Sequence, residues 1–359
     1  MCRVSRIGLL LLLLLLLALP GRAPAADELR LLNWDNYLAA ESLQRFETQC
    51  KCRVVQELIF DNDELLARLS AGAGRYDVLV PTGNAVQALV RQHALALLDR
   101  GKLPNLKNID PAYLDTRFDR GNRYSAPYAY TVTLIGYNEQ KMRQLGVPVD
   151  SWAAIFDPQI LARIDGKVTV LDSPRELLAA ALKYLGYSAN ETSEARWKEA
   201  RDVIVRARPY WAAFNASTYV KELAAGRIWL AHGYSNDMYK AGRQARSEGR
   251  DFTVSFGVPK EGAVLALDSM VIPRNAPRSD LAHLFINFAL DTGTSAELSN
   301  ATGSGSPNRG ATKHVAPDIA QNTALFPDQA TLAKLEMLND LDGKQRRDLR
   351  RLWADIRLR

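Results

Sequence analysis

The chain is short of the residues that most often carry out chemistry. It has three cysteines and four histidines in 359 residues. His93, His232, His283 and His314 stand far apart and show no metal-ligand spacing. No GxSxG, HExxH or phosphate-binding glycine loop occurs. These absences remove the common hydrolase, metalloprotease and nucleotide-binding readings, so no catalytic residue, metal or cofactor is expected. Beyond residue 25 no apolar run is long enough to span a bilayer. A strong excess of one charge is missing too: 46 Lys and Arg face 40 Asp and Glu. The basic residues are scattered except in "KQRRDLRRLWADIRLR" at the end, where Leu349, Leu352, Trp353 and Ile356 recur at helical spacing. That pattern predicts a last helix with one solvated face, and no nucleic-acid partner.

What is present begins with a leader. Arg3 and Arg6 precede the run "IGLLLLLLLLLALP", and "APA" at positions 23–25 is a small-x-small cleavage site. Residues 1–25 read as a secretory signal peptide. Cleavage would leave 334 residues, enough for two domains, and would remove Arg3, Arg6 and Arg22 but no acid, lowering the net charge from +6 to +3. Cys2 lies before the apolar run and is not placed for lipid attachment. The expectation is a soluble periplasmic protein. Cys50 and Cys52 are two apart at a strand start, where side chains share a face but stand too far apart to bond. They read as a pair of thiols.

The body of the chain alternates strand and helix. "LRLLNW", "CRVVQELIF" and "YDVLVPT" read as strands, separated by helical patterns that end in "GNAVQALVRQHALALLD". The rhythm returns at "GKVTVLDSP", "RELLAAALKYLG" and "IWLAHGY". This predicts an α/β fold with a mainly parallel sheet. "RYSAPYAYTVTLIGYN" breaks the rhythm and reads as one long strand, or two in line, able to cross between domains.

Several strands end in residues able to bind a ligand, and in α/β sheets ligands lie outside the carboxyl ends of strands. These residues are Trp34, Asp35, Asn36 and Tyr37, then Thr82 and Asn84, then Ser173 and Glu176, then Tyr234 and Asp237. Asp268 differs, because it stands inside "VLALDSMVIP", where no turn is expected and a buried carboxylate needs a partner.

At this point the chain resembles the periplasmic substrate-binding proteins of polyamine ABC transporters. The resemblance rests on six segments in order: "NWDNY" (33–37), "YDVLVPT" (76–82), "APYAYTVTLIGYN" (126–138), "PVDSWAAIFDP" (148–158), "STYVKELAAGRIWLAHGY" (217–234) and "VPKEGAVLALDSMVIP" (258–273). It implies a type II-like, two-lobed binding protein with the ligand cleft between the lobes. Lobe 1 would hold residues 26–133 and 260–302, and lobe 2 residues 134–259 and 303–359. The protein would act as a monomer and close on a polyamine of the putrescine or spermidine type. It would deliver that polyamine to the membrane permease subunits of an ABC transporter.

Carried over by position, Trp34 and Tyr37 would wall the methylene chain, with Asp35 and Asn36 between them. Thr82 and Asn84 would give polar contacts, Glu176 and Asp237 the acids of lobe 2, and Asp268 the central acid of lobe 1. Ser173 and Tyr234 would complete the wall. The chain departs from the family at Ala266 and Ser304, where a large ring is usual, which implies a wider pocket. Two alternatives share the binding class: another cationic or amino-acid-like ligand, for which Arg175 would be the carboxylate-binding residue, and a ligand-dependent sensor component.

Overall fold

The computed structural model describes residues 27–35, 37–59, 61–72 and 75–358. The stretch expected to be a signal peptide and Asn36 lie outside the described residues. The architecture is α/β with two lobes, as expected. Strand β1 (Asp27–Trp34) pairs in parallel with β2 (Cys52–Ile59) and β3 (Val78–Leu79), with helices α1 (Ala40–Cys50) and α2 (Asn62–Ala71) as the crossovers. Helix α3 (Gly83–Arg91) follows β3. Further along come β5 (Val168–Val170), α4 (Pro174–Tyr184), α5 (Glu194–Ala207), β6 (Trp211–Phe214), α6 (Tyr219–Ala224), β7 (Leu230–Tyr234) and α7 (Ser235–Ser247). Here β5 pairs in parallel with both β6 and β7.

Two long strands join these parallel sets. Strand β4 (Ser125–Asn138) pairs antiparallel with β9 (Ala263–Val271) through Val132, then from Thr133 onward with β7. Its far end also takes β8 (Val254–Gly257). The same strand feeds both interiors. Ala126, Tyr128 and Ala129 pack with Leu29, Leu31 and Phe46, whereas Val132, Leu134 and Ile135 pack with Trp152, Trp197 and Leu230. Strand β9 does likewise, with Ala263 in the second core and Met270 in the first. The segment "YAYTVTLIGYN" is therefore apolar and β-branched because it is buried along nearly its whole length. The last helix (Gly343–Leu358) buries Leu349 and Ile356 against the second core, the face that its periodicity marked.

Some local expectations are corrected. "YDVLVPT" contributes only a two-residue ladder. The helix begun at Gly83 stops at Arg91, because His93 is left-handed (φ 53°) and the Ala94 N–H returns to the Leu89 carbonyl. Strand β6 carries no clear alternation in sequence and went unanticipated. Cys50 and Cys52 form a disulfide, contrary to the reading as thiols. That reading assumed extended backbone. Lys51 instead caps α1 at φ 54°, and this turn brings the two Cα atoms to 5.1 Å.

The small-residue segment after the helix α8 (Thr292–Thr302) is explained by packing. Gly305 exchanges backbone hydrogen bonds of 3.0 and 2.9 Å with Tyr130, whose ring lies where a Gly305 Cβ would stand. Gly303, at φ 76°, is similarly covered by Tyr239. Gly305→Ala should therefore cost about 1–3 kcal/mol through overpacking. Denaturant unfolding checks this, and an unchanged midpoint would contradict the packing described.

Candidate ligand-binding site

Strand ends and one mid-strand carboxyl converge where the two sets of strands meet. Asp268 is 4% exposed on β9, opposite Ala129. Its Oδ1 accepts a 2.6 Å hydrogen bond from the Thr82 hydroxyl, and its Oδ2 accepts one of 2.8 Å from the Tyr37 phenol. Thr82 is the N-cap residue of α3, yet its side chain does not cap the helix. It spends its one donor on Asp268 while its backbone N–H goes to Asn62 Oδ1 at 3.1 Å. Tyr37 is positioned in turn by Tyr128, whose hydroxyl donates to the Tyr37 carbonyl at 2.7 Å. Tyr128 falls at the irregularity between Pro127 and Ala129 in the β4–β9 pairing, a place where a strand can re-aim a side chain.

Two further carboxyls come from the other lobe. Glu176, in the first turn of α4, accepts from the Thr133 hydroxyl at 2.7 Å. Asp237, in the first turn of α7, accepts from the Tyr219 phenol. Thr133 is the β4 residue at which pairing switches to β7, facing Tyr234. The Tyr234 phenol lies in the field of Glu176, Asp237, Asp268 and Asp61, and these charges, after burial, raise its pKa well above the usual phenol value. Asp35, after β1, pairs with Lys240 Nζ at 3.8 Å.

The donors distinguish these acids from structural ones. Buried Asp119 accepts three backbone N–H groups and the Ser125 hydroxyl, and buried Asp77 accepts the N–H groups of Arg30 and Arg278. Such bonds are fixed by the fold. Asp268, Glu176 and Asp237 are held by hydroxyls, and among the described residues none forms an ion pair with Lys or Arg. Hydroxyl donors hold a carboxyl in place without neutralising it, which suits a cationic guest.

The model of the family described as bacterial extracellular solute-binding protein matches residues 41–327. The chain belongs to that family. It is 51% identical over 350 residues to the putrescine/cadaverine-binding protein of Pseudomonas aeruginosa, covering 98% of this chain and 99% of that one. It is 32% identical to the putrescine-binding periplasmic protein PotF of Escherichia coli, over 92% of this chain and 91% of that one. Among solved structures, the TpPotD lipoprotein of Treponema pallidum superposes with a TM-score of 0.81 at 26% identity, over 93% of this chain and 100% of that one.

In this solute-binding protein the expected residues divide into two groups. Tyr37, Thr82 and Asp268 form one hydrogen-bonded unit, and Glu176, Asp237 and Tyr234 share its electrostatic field. Asp35 lies at the rim with Lys240. Trp34 ends β1 half-buried against both first-lobe clusters, and its indole N–H has no hydrogen-bond partner among the described residues. Asn84, in the first turn of α3, and Ser173, the N-cap of α4, are half-buried, and among the described residues no side-chain hydrogen bond ties either to the acids. Ser304 carries no ring but is fully buried, with its hydroxyl oxygen accepting from the Thr302 hydroxyl at 2.8 Å. Thr133, Tyr219, Asp61 and Lys240 were missed from sequence. Thr133 and Tyr219 lay inside quoted segments, and Lys240 stands one helical turn from Asp237, so spacing to an acid was the available signal.

Burial raises the Asp268 pKa to about 7, opposed by the Thr82 and Tyr37 hydrogen bonds and reinforced by Glu176. Glu176 and Asp237 are also raised, chiefly by burial. An unfolded aspartate titrates near ~4. Between about 4 and 7 the folded chain thus binds the extra proton at Asp268, and folding stability falls as pH rises through that window. Buried His232, lowered to about 3, works in the opposite direction between about 3 and its usual value of 6.5. Comparison with Asp268→Asn isolates the carboxyl. The variant should gain in melting temperature relative to the parent as pH rises from 5 to 8. A difference that stays flat with pH would contradict the burial assigned to Asp268.

Proposed function

We propose that this protein captures a polyamine of the putrescine or spermidine type in the periplasm. As a monomer it would deliver that ligand to the permease of an ABC transporter. The observation that carries this reading is the set of three carboxyls from two lobes, Asp268, Glu176 and Asp237, each held by hydroxyls around the Tyr234 phenol. A polyamine offers ammonium groups with several donors and no acceptor, on an apolar chain. Carboxylates take the ammoniums. Trp34, Tyr37 and Tyr234 take the methylenes, each worth about 0.8 kcal/mol when buried, and a ring beside an ammonium adds roughly 0.5–2 kcal/mol. The names of the relatives in Pseudomonas and Escherichia, which bind putrescine, point the same way.

In this reading the lobes are residues 26–133 with 260–302, and 134–259 with 303–359. The ligand-contacting residues are Trp34, Asp35, Asn36, Tyr37, Thr82, Asn84, Ser173, Glu176, Tyr234, Asp237 and Asp268. A ligand bound to both sets of acids favours closure because its contacts exist only when both are near. The amino-acid-like alternative gains nothing from Arg175. Its guanidinium turns toward the Asn190 side chain and the Asn339 carbonyl, 3.4 Å from each. Burial also depresses its pKa to about 10.

Calorimetric titration of refolded, ligand-free protein with putrescine, cadaverine, agmatine, spermidine and spermine tests the reading. At least one should bind at sub-millimolar concentration, and failure of all five would sink it. Asp268→Ala should weaken binding more than about 100-fold, as expected for loss of a buried charge partner. Thr82→Ala, which removes one hydrogen bond, should weaken it by about 5-fold. Equal effects of the two substitutions would remove Asp268 from the centre of the site.

A further inference from the structure

The rim of the site already contains a cation. Lys240 lies on α7 one turn beyond Asp237, and its Nζ reaches Asp35 of the other lobe at 3.8 Å. Its charge favours ionised Asp237, while Asp35 disfavours it, so all three groups share one local field. At the opposite end Asp268 is 4% exposed and feels Glu176 rather than a lysine. Exposure grades the site from this buried end, past Tyr234, to the rim, where the Lys240 and Asp35 side chains are 45% and 60% exposed.

We propose that Lys240 is the specificity-determining residue that limits the ligand to two ammonium groups. The inference rests on the polyamine reading above and refines its substrate class to short α,ω-diamines. One ammonium of a diamine meets Asp268 and Glu176, and the other meets Asp237. A triamine lying along the same line must bring its third ammonium to the rim, where Lys240 already partners Asp35. Two ammoniums sharing that rim repel each other, and the carboxylate that a third ammonium would use is already engaged. Exposed ion pairs contribute little stability by themselves, so Lys240 acts here through exclusion, not through holding the fold together.

The experiment is a calorimetric comparison of putrescine and spermidine on the parent protein, Lys240→Met and Lys240→Arg, at two salt concentrations. Lys240 is well exposed, so both variants should fold, and thermal melts verify this. The parent should prefer putrescine. Lys240→Met should shift the spermidine-to-putrescine affinity ratio toward spermidine by at least about tenfold, because like charges brought together at a binding surface cost at least that much affinity. Lys240→Arg, which keeps the charge, should leave the ratio near that of the parent. The shift should be smaller at high salt. A ratio unchanged in Lys240→Met would overturn the proposal. So would equal weakening of both amines, which would make Lys240 a latch between the lobes. If the parent binds neither amine, the polyamine reading falls and this refinement falls with it. Binding of both with an unmoved ratio removes the refinement alone.

Discussion

A carboxyl group buried in the middle of a strand, held among the described residues by two hydroxyls, is the constraint around which this structure is arranged. Asp268 cannot ionise there cheaply, and its pKa of about 7 records the cost of burial. Thr82 and Tyr37 lessen that cost without supplying charge. The neighbouring geometry serves those two contacts. Thr82 forgoes helix capping, and Tyr128 braces the Tyr37 carbonyl. A structural aspartate such as Asp119 needs nothing of this kind, because backbone N–H groups satisfy it.

The long strands give this constraint its reach. β4 and β9 each pack into the cores of both lobes, so a side chain near their middle stands between the lobes by construction. Asp268 and Thr133 are such side chains, one holding the acid of the first lobe and the other positioning Glu176 of the second. Acids on both sides of a junction repel when close and are reconciled by a guest carrying positive charge at two points. Electrostatics and topology therefore favour the same kind of ligand, and the names of the relatives agree with it.

Much of the fold was legible because its signals are local. The alternation of strands and helices, the long "APYAYTVTLIGYN" strand and the amphipathic last helix follow from hydrophobic period alone. Asp268 was legible as an anomaly, a charge where a strand interior should be apolar. What escaped depends on contacts distant in sequence or on backbone turns that composition does not encode. The bond from Tyr219 to Asp237 spans eighteen residues, and that from Thr133 to Glu176 spans forty-three. The disulfide was misjudged because a left-handed Lys51 makes a turn where strand geometry was assumed. The small residues near Ser304 suggested open space, whereas the rings of Tyr130 and Tyr239 cover that backbone.

The central claim is that a cationic ligand meets a carboxyl held near neutrality. Binding must then drive a proton off, because an ammonium beside Asp268 lowers its pKa while the amine itself stays charged. The direct measurement is diamine titration near pH 6.5 in two buffers of different ionisation enthalpy, which counts protons exchanged per ligand bound. The account predicts release of up to about one proton, diminishing as pH rises above the Asp268 pKa and absent in Asp268→Asn. No proton exchange at pH 6.5, or proton uptake, would contradict it.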